Sequence, residues 1–486
     1  MTAAPISLWT THLDRASAVP VSRQLAVALR RAIAEGGIDA GARLPSTRVL
    51  STELGLARST VVGVFEQLAA EGFVLSRPGS GYYVPARPAP LPNGEALPPA
   101  PRPVSREAKR LADFVPPRRG DPRPFESGNA EIDGRFMTDW KRLAARVLAD
   151  RTRSHWGYGD PQGDHDLRVA IAAYLGAARG VRCRPEQIVL TGGTQQGLSL
   201  ACRVLLDPGD TAWVEDPCYR SAYEILAMAE ARIVPVPVDA EGLAIAEGQR
   251  REETPPRLVY TTPARQYPLG MAMPFARRVE LLEWAERAGA WIIEDDYESE
   301  FQHPARMLPS LQGLDRAGRV VYLGTFSKLL FPSLRLGYAV LPEDLVGPVT
   351  AARYLTDRQS TGLIQTILTD FMLGGHFARH LKRMRALYAE RQQFLIAAIR
   401  RRLGGLLQAH PTESGMYLIA WLPPDRSDAA AARTLGEAGV VAVPLSSLVI
   451  ETKRPPGLML GYTGHSEAAM TRAIDRMAEV FQCKPV

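Results

Sequence analysis

The chain is short of cysteine. Its four, Cys183, Cys202, Cys218 and Cys483, fall at no paired spacing, which argues against a disulfide framework and a zinc site and fits a reducing cytoplasm. Long apolar runs are missing too. No eighteen consecutive residues are apolar, and the opening MTAAPISLWTTHLDR has neither the basic start nor the apolar core of a signal peptide. No membrane span is therefore expected. Aromatic residues make up only 7%, and no internal repeat is present. What remains, with 486 residues and 46% of them hydrophobic, is a globular chain long enough for two or three domains.

Charge of one sign is scarce as well, the net being +6, and it is unevenly placed. Residues 1–84 hold 8 basic against 6 acidic side chains, residues 85–125 hold 8 against 4, and the rest is balanced. The N-terminal quarter thus carries a modest footprint for a polyanion. In it, Leu25, Leu29 and Ile33 share one helical face ahead of Gly36-Gly37. Ser46 is an N-cap for a short helix ending near Leu54-Gly55, and Ser59 is a cap for a second, with Val61, Phe65 and Leu68 on one face. Two short helices joined by Gly55-Leu56-Ala57-Arg58 predict a helix-turn-helix. FVLS and GYYV around Arg77-Pro78-Gly79-Ser80-Gly81 predict a hairpin wing. Arg48, Arg58, Ser59, Thr60 and Arg77 would then face the phosphates and base edges of double-stranded DNA. The rival reading is a small helical domain that binds protein.

Residues 85–125 contain twelve prolines and read as an extended, semi-rigid linker. From about 126 onward short apolar strands (QIVLTGG, TAWVED, RIVPVPV, RLVYTTP, WIIEDDY, VVYLGTF) alternate with amphipathic helices. That succession predicts an α/β domain with a mostly parallel sheet, whose ligands gather beyond the carboxyl ends of the strands. The last hundred residues, roughly 385–486, read as a smaller α+β part.

Polar clusters fall at those strand ends. After Val320–Leu323 come Thr325, Ser327 and Lys328, with Arg335 seven residues beyond the lysine. Hydroxyls and arginine suit a phosphate dianion, and a buried, cation-rich setting favours a neutral amine able to bond an aldehyde. A polar loop with an ordinary surface lysine reads equally well. Gly193 and Thr194, between a strand and a helix, offer free N–H groups to an anion. Asp295 ends the strand WIIED and could hold a pyridine nitrogen protonated, with Tyr297 near that ring's phenolic oxygen. Alternatively Glu294, Asp295, Asp296, Glu298, Glu300 and His303 bind a divalent metal or form a solvated acidic loop. Tyr219, in EDPCYR, offers a flat face for stacking.

The stretch LPSTRVLSTELGLARSTVVGVFEQLAAEGFVLSRPGSGYYV closely resembles the winged helix of the GntR superfamily, over about residues 20–84. HWGYGDPQGDHDLR, TGGTQQGL, EDPCY, IIEDDYESEF, GTFSKLLFPSLRLGY and HFARHLKRMRALYAER resemble fold-type I pyridoxal-phosphate aminotransferases. In that order the whole chain is similar to the MocR/GabR-type transcription regulators. The resemblance implies a winged helix-turn-helix domain (1–84), the linker (85–125) and an aminotransferase-like domain (126–486). It implies pyridoxal 5'-phosphate on Lys328, with Asp295 at the pyridine nitrogen, Tyr297 at the phenolic oxygen and Tyr219 stacked on the ring. Gly193, Thr194, Thr325, Ser327 and Arg335 would surround the phosphate. A head-to-tail homodimer, an operator DNA and an amine or the cofactor itself as effector are further implications.

The sequence departs from its relatives at TTPARQYPLG, where Arg265 replaces a histidine and Leu269 a threonine, and at GLMLGYTG, where Met459 takes the place of a carboxylate-binding arginine. Arg265 and the nearby Arg454 are candidates for an effector contact. Three functions are expected: a regulator sensing pyridoxal phosphate with an amine, a working aminotransferase carrying a DNA-binding domain, and a sensor of the cofactor alone. Weak or absent turnover is the expectation.

Overall fold

Ser46 starts a helix because its hydroxyl accepts the Val49 N–H at 3.2 Å, satisfying one of the free donors of the first turn. The computed structural model describes residues 13–86, 103–112, 123–150, 156–252, 254–302, 308–413 and 415–483. It divides into two units, Met1–Lys109 and Arg110–Val486. In the first, α1 (Val21–Ala34) buries Leu25, Ala26, Leu29 and Ile33. Ser46 caps α2 (Thr47–Leu54), which Gly55 ends in the left-handed conformation. α3 (Arg58–Ala70) begins one residue before Ser59, and its cap position is Ala57, which makes no side-chain bond. Ser59 is therefore not the cap. Ala57 is already extended (φ −62°, ψ 139°), so Arg58 can enter the helix directly. Val61, Phe65 and Leu68 are wholly buried with the apolar face of α1, each such side chain contributing roughly 1.5–3 kcal/mol. β1 (Leu75–Arg77) and β2 (Gly81–Tyr83) pair antiparallel as the wing, with Arg77 opposite Gly81.

Most of the proline-rich segment lies outside the described residues. Two described pieces of it differ from an extended linker. Arg106–Ala112 is helical, in a stretch without proline between Pro103 and Pro116. Phe125 is 1% exposed in the core of the second unit, and its carbonyl accepts from Gly461 N.

The second unit is built on an eight-stranded sheet: β3 (Ile188–Thr191), β4 (Thr211–Asp216), β5 (Arg232–Asp239), β6 (Gly242–Leu243), β7 (Leu258–Thr261), β8 (Trp291–Asp296), β9 (Val320–Thr325) and β10 (Gly337–Val340). The spatial order is β3-β10-β9-β8-β7-β4-β5-β6. β10 runs antiparallel to both β3 and β9, β6 is antiparallel to β5, and the remaining pairs are parallel. The strands β3, β4, β7, β8 and β9 therefore end at one edge, where β10 begins. Every residue of those five strands is buried, as their near-continuous apolar runs require with helices on both faces. A second, antiparallel sheet of four strands follows, in the order β11 (Gln408–Ala409), β12 (Tyr417–Trp421), β14 (Gly457–Gly461), β13 (Val443–Pro444). It forms the smaller α+β part with the helices His376–Leu403 and Glu467–Cys483. Among the described residues no helix is long and apolar enough to cross a membrane.

Candidate functional site

The common strand edge encloses a cavity of about 550 Å³. At one end, Gly193 precedes the helix Thr194–Leu205 with φ 111°, a conformation suited to glycine. Gly337 stands opposite both Thr191 and Thr325, and a side chain there would strike Gly193 Cα and Gly324 O. Those two glycines let the β3 turn and the end of β9 approach each other. Thr194, Thr325, Ser327 and Arg335 all line this end. Thr325 Oγ1 accepts from Ser327 N at 3.1 Å, while the buried Ser327 Oγ has no partner. Arg335 adopts a left-handed backbone (φ 48°), and its Nη1 lies 3.6 Å from where a Gly193 Cβ would stand. A helix N-terminus, two hydroxyls and a guanidinium make an anion cup.

Lys328 lines the middle of the cavity, and a side chain on Gly128 would collide with its Nζ. Asp295 faces the same space. Its Oδ2 accepts from Tyr260 Oη at 2.6 Å, and its buried Oδ1 has no partner. Burial raises its pKa to about 7. Beyond Asp295 stands a group of tyrosines. Tyr267 meets Tyr219, Tyr297 and Tyr417 edge-on at 5.6, 5.9 and 5.7 Å between ring centres. The Tyr297 and Tyr417 hydroxyls are 2.9 Å apart, and Gln195 Nε2 donates to Tyr219 Oη at 3.3 Å.

The acidic stretch does not converge on one point, because alternation along β8 sends its carboxylates to opposite faces. Glu294 accepts from Leu311 N and Gln312 N, each at 2.9 Å. Asp296 turns away from the cavity to Arg179. Glu298 pairs with Arg265 at 2.5 Å and accepts from Met416 N at 3.1 Å. Among the described residues no group of three His, Cys, Asp or Glu is arranged to hold a metal; His303 lies outside them.

Arg265 does not line the cavity. It is 2% exposed, ion-paired to Glu298, which does line it, and donates to Tyr417 O at 3.2 Å. Arg454 lies elsewhere, donating to Val238 O at 2.6 Å. Met459 is buried opposite Ile419, on the same face of the small sheet as Tyr417. Reasoning from sequence missed Ser127, Gly128, Tyr260, Tyr267, Met416 and Tyr417, and read Glu298 only as part of the acidic stretch. No spacing signals them, since the small sheet brings Met416 and Tyr417 across more than a hundred residues.

In the first unit Arg48, Arg58, Ser59 and Arg77 are exposed and Thr60 is half-buried. Arg58, Ser59 and Thr60 form the first turn of α3, the second helix of the helix-turn-helix. The Arg77 guanidinium lies 4.5 Å from the centre of the Tyr83 ring, which fixes it on the wing.

Residues 21–84 match the family described as bacterial regulatory proteins, gntR family, and residues 125–477 match aminotransferase class I and II. The chain is 38% identical to the probable rhizopine catabolism regulatory protein MocR of Rhizobium meliloti, over 96% of this chain and 95% of that one. It is a member of the MocR-type GntR regulators. A second member of this family, the pyridoxine biosynthesis transcriptional regulator PdxR of Corynebacterium glutamicum, is 30% identical over 92% of this chain and 93% of that one. The LysN α-aminoadipate aminotransferase of Thermus thermophilus, solved with N-(5'-phosphopyridoxyl)-L-leucine, is similar in structure to the regulator's larger unit. Its TM-score is 0.67 at 26% identity, covering 78% of the regulator and 95% of LysN.

Proposed function

We propose that this regulator binds double-stranded operator DNA through residues 1–84 and senses an amine through pyridoxal 5'-phosphate held in residues 126–486. The two parts are tethered by 85–125 in a cytoplasmic, head-to-tail homodimer. One observation carries the reading: a winged helix with exposed arginines shares its chain with a cavity whose unsatisfied groups match this cofactor. Ser327 Oγ and Asp295 Oδ1 are both buried without partners, and they stand at the phosphate end and the ring end of one cavity. When bound, the cofactor supplies an aldehyde for Lys328 and an electron-withdrawing ring. Arg335, Thr194, Thr325 and Ser327 bind the phosphate, with Gly193 shaping the turn. Asp295 keeps a proton on the ring nitrogen, Tyr297 meets the phenolic oxygen and Tyr219 covers the ring face.

Asp295 makes this testable without activity. Its raised pKa means that the cofactor-free protein binds that proton more tightly than the unfolded chain does. The resulting stability is complete below the unfolded value of 3.8 and is lost as pH rises through about 7. The loss is on the order of 4 kcal/mol. It should vanish in Asp295→Asn and shrink on adding pyridoxal phosphate, whose ring cation favours the carboxylate. Equal pH slopes for the cofactor-free wild type and Asp295→Asn would contradict the assignment.

The DNA side is tested with a duplex selected from a random pool. Arg48→Ala and Arg58→Ala should each weaken binding by about tenfold, and a lost phosphate contact should lower the salt slope by about one. Unchanged affinity and slope in both variants would remove these residues from the DNA face.

A further inference from the structure

Once the cofactor's groups are assigned, the chemistry left in the cavity is unusual for an amino-acid site. The two cations that line it, among the described residues, are Lys328 and Arg335, and the reading above commits both to the cofactor. The remaining half is formed by Glu298, Tyr267, Tyr417, Met416 and Ser127. Its charged lining group is a carboxylate.

Arg265 does not reverse that sign. Its guanidinium is already neutralised by Glu298 and is wedged between two backbone segments. Side chains at Gly270 or Gly415 would lie against it, at 3.2 and 2.5 Å respectively. It therefore cannot swing into the cavity without moving both loops. Met459, on the Tyr417 face of the small sheet, adds no charge. A ligand carboxylate here would be desolvated beside Glu298 with no free cation to receive it. Glu298 spends one oxygen on Arg265 and the other on Met416 N, which leaves lone pairs on both for further donors. The tyrosine hydroxyls accept hydrogen bonds as well as donate them.

We propose that the ligand half of this cavity takes a polar primary amine without a carboxylate, an amino alcohol or diamine whose O–H or N–H groups donate to Glu298 and the neighbouring tyrosines. This rests on the cofactor reading of the preceding subsection and narrows it to a ligand class. The expectation of slow turnover with common α-amino acids follows from the same lining.

The test uses full-length protein loaded with pyridoxal 5'-phosphate and two matched pairs: 2-amino-1,3-propanediol against L-serine, and 1,4-diaminobutane against 4-aminobutanoate. Calorimetry and the visible absorption band are read together. The member lacking the acid should bind about tenfold or more tightly in each pair, because the acid is desolvated there with no free cation to receive it. Glu298→Gln should collapse that preference. Met459→Arg, a change outside the Arg265–Glu298 pair, should shift it toward the acids. Acids that bind the wild type equally or better would overturn the proposal, as would the absence of any response to all four amines. So would a preference unaltered in Glu298→Gln. Failure of the cofactor reading looks different: borohydride would then leave no label on Lys328 whichever amine is present.

Discussion

Borohydride reduction of the protein loaded with pyridoxal 5'-phosphate should fix about one pyridoxyl group per chain, on the peptide containing Lys328. Lys328→Ala should reduce that label to background. The chain has only six lysines, at 109, 141, 328, 382, 453 and 484, so peptide mapping distinguishes them readily. Among the described residues Lys328 is the lysine that lines the cavity. It follows Ser327, whose buried hydroxyl has no partner, and comes three residues after the strand end at Thr325. The variant should remain folded, since it loses one half-buried side chain from a loop while β9 and its neighbours stay packed. It should also keep some affinity for the cofactor through the anion cup, seen as a weak, non-covalent complex. DNA binding by the winged helix should persist in Lys328→Ala, but its response to an added amine should not. Labelling of a different lysine, or full labelling of the variant, would overturn the assignment.

What the sequence made legible was local. Ser46, Gly55 and the Pro78-Gly79-Ser80 turn act within a few residues of themselves, so the helix-turn-helix and wing could be read from spacing. Lys328, Asp295 and Gly193 were legible because each follows a short apolar run, and parallel strands carry their chemistry at a common edge. Ser59 was misread as a cap because its preference for that position is strong, whereas the extended backbone of Ala57 let the helix begin earlier. The helix Arg106–Ala112 was hidden by the prolines on either side. The pairing of Arg265 with Glu298 had no signal at all. The two residues come from loops after different strands, and nothing in their separation shows that burial will force them together. Read alone, Arg265 is a candidate to grip an acid; beside Glu298 it becomes part of a neutral wall.

Behind the cavity, removing Arg179 should strongly destabilise the larger unit. Arg179 Nε donates to Asp296 Oδ2 at 2.8 Å, and the two side chains are 1% and 0% exposed. Tyr322 Oη donates to the same oxygen at 2.7 Å. Arg179 holds Asp296 below the usual carboxylate range despite its burial. Burial and the Asp296 charge push the nearby Glu300 up to about 8, so it is protonated at neutral pH and competes little for the guanidinium. Arg179→Met would leave a buried carboxylate without its counter-charge, a loss of about 3–5 kcal/mol for a pair of this kind. The loss should be greatest near neutral pH. It should shrink as acid protonates Asp296, because a depressed carboxylate contributes its stability above the unfolded value and loses it as pH falls. Asp296→Asn alone should also destabilise, by stranding Arg179. The double variant Arg179→Met/Asp296→Asn should recover much of the loss, since neither charge then remains and Tyr322 still has an oxygen to bond. Six of the seven tryptophans lie in residues 126–486, so denaturation followed by tryptophan fluorescence reports on this unit. Additive losses in the double variant would mean that the pair is not a unit. Strong coupling would mean that it is, and that the pair anchors the face of β8 opposite Asp295.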